Sequence, residues 1–365
     1  MKLHLLFIGN KFIQNRPLQE YILRKIEKTN SFINSITYYK ENDNSLFLYL
    51  EQEMNASSKI IIITTKQNFS TVGKLICTVT SDNQVLQDKM LIPQKSSVFE
   101  DASYLLQYND SMINVIHIDE MLTMPEILIS DENTKATVNI FDEDKDSLLA
   151  ILNPIAQTYD VTLDIVKIVD KWLSVEIHGS KYGNISKFID STKQLLPYNL
   201  IAASNIVQHI IEALHKNQKK ITFAESCTGG LLSYYFTREN GASKILDGAL
   251  ITYSNELKEN WLGINDEIIE SCGAVSAEVV SEMSEGAVNV SHSDYAISIS
   301  GIAGEGGGTD EKPVGTVYIG VRSSIKHTEQ RLHFNGDRNY VQQQSVLEAL
   351  KMLILLDKEV FFKES

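Results

Sequence analysis

The sequence predicts an α/β protein made of three successive units. Three observations lead there. β-branched runs such as KIIIITT (59–65) alternate with amphipathic stretches such as PLQEYILRKIEKTN (17–30), the pattern of parallel strands covered by helices. A second alternation of the same kind begins near residue 203. At 365 residues, the chain also exceeds what a single core holds.

The opening MKLHLLFIGNKF places an apolar run after a lysine, as a secretory leader does. The run is too short for that and no small-residue cleavage pattern follows, so it reads as the first buried strand. With the helix and strand above, it makes an α/β unit over 1–143. FDEDKD (141–146) reads as a linker or an exposed helix start. A helix through LLAILNPIAQTY, strands at VTLDIVKIV and WLSVEIHG, and a helix over Ile185 to Leu196 then make a small α+β unit, 144–200, closed by Pro197.

The third unit, 201–365, opens with a helical stripe of Ile206, Val207, Ile210, Ile211 and Leu214 behind a Ser204 cap. Strands follow at ITFA, ILDGALITYS, YAISISG and GTVYIGVR, and a last helix runs from Tyr340 to Leu356.

A formal net charge of −14 argues against general binding of nucleic acid or anionic lipid. No apolar run reaches the ~20 residues of a membrane span. The three cysteines, Cys77, Cys227 and Cys272, lack zinc-ligand spacing and give no disulfide framework, which fits a reducing cytoplasm. No metal site or cofactor is expected.

The stretch ITFAESCTGGLLSYY (221–235) carries the chemistry. A strand that ends in Ser226 and turns into a helix aims the hydroxyl and the free amides of the first helical turn at one place, where negative charge is stabilised. Gly229 and Gly230 allow close approach to the backbone. On spacing alone Ser226 reads as a helix cap before it reads as a nucleophile, and A-E-S-C-T is not a GxSxG elbow.

Tyr253 and Lys258, in ALITYSNELKENWLG, follow another strand. A desolvated lysine accepts a proton from serine, and a tyrosine can relay or hold it. Taken singly, Lys258 reads as a surface lysine and Tyr253 as a core-edge aromatic. Cys227, a stronger nucleophile in principle, reads as a buried, inert thiol. In SISGIAGEGGGTDEKPVGTVYIG (298–320), successive glycines with Lys312 form either an anion-binding loop or a long hairpin connection.

AESCTGG, TYSNELK, GAVSAEVV, the 298–320 block and FNGDR occur in the order and spacing of the C-terminal domain of the competence/damage-inducible protein A (CinA) family, which the chain resembles over about 204–355. That domain is similar to nicotinamide-nucleotide amidohydrolases. The resemblance implies deamidation of nicotinamide mononucleotide, with Ser226 as nucleophile, Tyr253 and Lys258 as its activators, and amides near Thr228 to Gly230 receiving the oxyanion. It places Ser276, Gly301, Gly304, Thr316 and Arg338 at the substrate, Arg338 as phosphate partner or else as a structural ion pair with Asp337. It also implies a homodimer.

The first unit resembles molybdopterin-binding α/β domains, linked in the family to ADP-ribose pyrophosphatase activity. Here TTKQNFSTVGK has neither the paired glycines nor the Asp of the family loop, and GNKFIQN and TTKQNFSTVGK carry lysines where a cation site would want carboxylates, so a degenerate domain is expected; Glu120 and Glu126 are the remaining carboxylate candidates. The middle unit resembles a KH-like connecting domain without the GXXG clamp. The alternative for the whole chain is a non-catalytic nucleotide-binding or interaction protein.

Overall fold

The computed structural model describes residues 1–30, 33–118, 123–130 and 135–363, and the chain divides into compact units over residues 1–133 and 134–365. Glu120 lies outside the described residues.

In the first unit, the elements in order are β1 (Leu3–Ile8), α1 (Asn10–Gln14), α2 (Arg16–Ile26), β2 (Ser35–Tyr39), α3 (Ser45–Met54), β3 (Lys59–Thr64), α4 (Lys66–Thr80), β4 (Gln84–Gln87), β5 (Met90–Pro93), β6 (Ser96–Glu100), β7 (Ser103–Tyr108) and β8 (Ser111–His117). The main sheet has the order β2-β1-β3-β8-β7-β6, parallel through β8 and antiparallel beyond it. Ile60 to Ile63 are fully buried because β3 is covered on both faces. Ile60 and Ile62 pack with α3 and α4, whereas Ile61 and Ile63 pack with α1 and α2.

The middle sheet starts earlier than the sequence suggests. β9 (Lys135–Phe141) is followed by α5 (Lys145–Thr158), β10 (Val161–Val169), β11 (Trp172–Gly179), α6 (Ile185–Leu195) and β12 (Leu200–Ile201). β9 pairs with both β11 and β12 in an antiparallel sheet ordered β10-β11-β9-β12. Phe141 is therefore a buried strand residue, while Asp144 caps α5 by accepting from the amides of Asp146 and Ser147.

The remaining elements are α7 (Ile206–Lys216), β13 (Ile221–Glu225), α8 (Leu231–Thr237), β14 (Leu246–Ile251), α9 (Asn255–Leu262), α10 (Asp266–Cys272), α11 (Ala277–Ser291), β15 (Tyr295–Gly301), β16 (Thr316–Ser323), β17 (His327–His333), α12 (Arg338–Leu356) and α13 (Lys358–Phe361). The sheet order is β14-β13-β15-β16-β17, with β14, β13 and β15 parallel. Alternation along β13 sends Phe223 towards α7, α8 and α12 and Ala224 towards α9 and α11, giving an α/β/α sandwich. The cap of α7 is Asn205, not Ser204: its side chain accepts from the amides of Val207 and Gln208.

Parallel pairing brings the carboxyl ends of β13, β14 and β15 to one edge of the sheet, and antiparallel β16 starts there. Ligand sites of open α/β sheets form at that edge.

Candidate active site

Glu225, the last residue of β13, is fully buried. One oxygen of its carboxylate accepts from the amides of Gly230 (3.0 Å) and Leu232 (3.1 Å), and the other from the amide (2.8 Å) and hydroxyl (2.6 Å) of Ser233. The start of α8 is thus capped by Glu225, and Ser226 is not the cap. Gly229 and Gly230 take up φ of 59° and 98°, the left-handed conformations that carry the chain from strand to helix.

The amide of Ser226 extends the ladder to the carbonyl of Ile299 (2.9 Å), and its side chain is turned towards α9. There Lys258, on the first turn after the Ser254 cap, is 1% exposed, with its Nζ 3.1 Å from Ser226 Oγ and donating to the carbonyl of Thr252 at 2.9 Å. Burial pushes the Lys258 pKa below the ordinary lysine value, because a cation loses hydration there. A neutral Lys258 keeps its N–H bond to Thr252 and offers its lone pair to the serine hydroxyl.

Cys227 forms no hydrogen bond with this pair among the described residues, and its thiol lies against Gly301. Its thiol is buried, and desolvation pushes its pKa to about 12, so it stays protonated and unreactive.

Several expected site residues reach the same edge. Gly301 ends β15 with Cys227 Sγ and the Thr316 carbonyl so close that a Cβ would lie 3.1 and 2.9 Å from them. Thr228 and Thr316 are buried, and neither hydroxyl has a hydrogen-bond partner among the described residues. A buried hydroxyl left unpaired costs free energy unless a ligand or water meets it. Thr252, which the sequence did not single out, has a third such hydroxyl beside Lys258. Arg338, exposed at the start of α12, lies flat on Gly304, where a Cβ would come within 2.6–2.8 Å of the guanidinium. Asp337 accepts from the Tyr340 amide, and no Arg338 ion pair occurs among the described residues.

Other expectations are corrected. The Gly229 amide is bonded to the Ser226 carbonyl (3.1 Å) and that of Gly230 to Glu225, so neither is available to an oxyanion. Ser276, expected at the substrate, also caps α11, its oxygen accepting from Val279 (3.2 Å), a bond that does not use its own O–H. Tyr253 is 62% exposed and forms no hydrogen bond to Ser226 or Lys258. Lys312 does not face the glycine loop: its Nζ donates to the carbonyls of Cys272 (2.9 Å) and Val275 (2.8 Å), tying down the end of α10.

In the first unit, a cleft of about 650 Å³ opens where β3 and β8 end; Lys66, Lys89, His117 and the exposed Glu126 are among its lining residues. Among the described residues, no group of three His, Cys, Asp or Glu side chains is arranged to hold a metal ion. No helix among them is long and apolar enough to cross a membrane.

A buried lysine against a serine hydroxyl, at the carboxyl edge of an α/β/α sheet, defines the class of serine–lysine pair domains. The chain belongs to the CinA, or competence/damage-inducible, family. Residues 203–356 match the sequence profile of the CinA C-terminal domain. A putative competence-damage inducible protein of Clostridium beijerinckii is 31% identical over 300 residues, covering 79% of this chain and 68% of the relative. One of the same description from Thermoanaerobacter pseudethanolicus is 43% identical over 144 residues, 40% of this chain; the match spans 35% of that relative's length. The crystal structure of the competence/damage inducible protein CihA from Agrobacterium tumefaciens is 33% identical, over 42% of this chain and 93% of that one, with a TM-score of 0.41.

Proposed function

We propose that the C-terminal domain is a serine amidohydrolase that converts nicotinamide mononucleotide to nicotinate mononucleotide and ammonia. The observation that carries the reaction type is the desolvated Lys258 amine 3.1 Å from Ser226 Oγ; the choice of substrate is the one that the family resemblance implies.

Lys258 takes the serine proton as Oγ attacks the carboxamide carbon, and the carbonyl oxygen becomes an oxyanion. The proton passes to the amide nitrogen, the C–N bond breaks and ammonia leaves an acyl-Ser226 ester. Water then attacks the ester, giving its proton to Lys258, and the C–Oγ bond breaks as Lys258 returns that proton to Oγ, releasing the acid and restoring Ser226 and the neutral amine. Thr228 and Thr316 supply unpaired hydroxyls to the substrate, and Arg338 supplies a guanidinium to its phosphate.

Tyr253, Ile251, Trp261 and Tyr234 are 62, 43, 50 and 54% exposed on β14, α8 and α9 and the segment between them. We propose that a second copy of the chain covers this apolar surface, which would bury Tyr253; Trp261→Asp should then lower the sedimentation coefficient.

Ammonia release from nicotinamide mononucleotide, other pyridine nucleotides and simple amides tests the activity. Turnover with the mononucleotide, unaffected by EDTA, is expected. No release from any amide, or loss with EDTA and recovery with a divalent cation, overturns the reading.

A further inference from the structure

The oxyanion donor can be found by following each amide of the turn. Ser226 N–H is bonded to Ile299, Gly229 N–H to the Ser226 carbonyl, Leu231 N–H to the Thr228 carbonyl, and those of Gly230, Leu232 and Ser233 to Glu225. Among the described residues, this leaves the amides of Cys227 and Thr228, immediately after the serine. In hydrolases with a nucleophile elbow, one oxyanion donor is the amide of the residue directly after the serine, the position of Cys227 here; the Thr228 amide is the next along the same turn.

The Thr228 N–H belongs to the same peptide unit as the Cys227 carbonyl. That carbonyl accepts a 2.7 Å hydrogen bond from Nε2 of Gln342, a half-buried residue of α12 one turn beyond Arg338. In a planar trans peptide the N–H points opposite to the C=O. The bond to Gln342 therefore holds the Thr228 N–H facing away from α12 and polarises it as a donor.

We infer that Gln342 is a positioning residue for the proposed amidohydrolase: by holding the Cys227–Thr228 peptide plane it presents the Thr228 amide to the oxyanion. It has no hydrogen bond to Ser226 or Lys258. Its removal should lower the rate of every reaction that passes through a charged tetrahedral centre on Ser226, and leave the titration of Lys258 in place. This inference rests on the amidohydrolase reading, so its test includes a reaction that needs no amide substrate.

The test compares wild type with Gln342→Met and Gln342→Glu, which keep the side-chain length without the donor, after circular dichroism confirms folding. A fluorophosphonate reacts with the serine by forming an Oγ–P bond as fluoride leaves, and mass spectrometry of the 226-containing peptide gives the rate. Both variants should react at Ser226 roughly 10–100-fold more slowly, a fraction of the ~100–1000-fold lost with a whole oxyanion donor. The pH midpoint of the reaction should not move. On the amide substrate, kcat should fall by a similar factor with KM nearly unchanged.

Wild-type labelling rates in both folded variants overturn the inference, as does a wild-type protein that does not react at Ser226. Slow labelling in the variants together with no ammonia release by wild type supports Gln342 as positioner and overturns only the amidohydrolase reading.

Discussion

Glu225 binds Ser233 twice, through its amide at 2.8 Å and its hydroxyl at 2.6 Å, from a fully buried position at the end of β13. The pairing fastens the start of α8 to the sheet and leaves the hydroxyl of Ser226 for Lys258. Glu225→Ala would strand three amides in a partly buried turn, each costing up to about 1–3 kcal/mol. A loss of about 3 kcal/mol or more in denaturant unfolding is expected, and a loss below about 1 kcal/mol would contradict this role.

Ser226→Ala should reduce turnover by ~1000-fold or more while substrate binding, followed by calorimetry, survives, because the surrounding donors remain. Lys258→Ala should be comparably severe. Near-normal kcat in either variant would show that the pair is not the reacting centre.

The pH dependence follows from the direction of the Lys258 shift. Burial lowers its pKa below the ordinary 10.5, and only the neutral amine can accept the serine proton. The active fraction therefore grows as pH rises, so kcat/KM should climb and level off above a midpoint lower than 10.5. A profile that stays flat between about pH 6 and 9, and that Lys258→Ala leaves unaltered, would point to another base.

The cleft of the first unit should not support ADP-ribose pyrophosphatase activity. Asp88, Glu100, Asp101 and Glu126 line it together with Lys66 and Lys89, but among the described residues no three His, Cys, Asp or Glu side chains are arranged to hold the divalent metal that the reaction uses. AMP release from ADP-ribose with Mg²⁺, Mn²⁺, Co²⁺ or Ni²⁺ should stay far below an ordinary enzymatic rate of ~1 s⁻¹; reaching that rate would sink the expectation.

The α/β, α+β and α/β/α succession was legible from periodicity, since KIIIITT and ITFA must be buried on both faces wherever they sit. Ser226 and Lys258 were legible as candidates because they follow strand ends. The sequence left Ser226 open between cap and nucleophile, as both roles need a hydroxyl at a helix start. Only the fold removed the cap reading, by burying the Glu225 carboxylate under the same turn. An acid between an apolar strand and a helix start was a visible signal for it.

Gln342 carried no such signal. It stands first in a QQQ run that reads as a solvated helix face, and its contact with Cys227 joins residues 115 positions apart. Tyr253 and Lys312 show the converse: each stands within its own motif close to the residues it was expected to join, yet one was sent to solvent and the other to the end of α10. Local pattern determined which segments are buried, because burial depends on period and composition. Which polar groups meet was decided by packing across the sheet, where a hydrogen bond depends on distances and directions that only the folded chain sets.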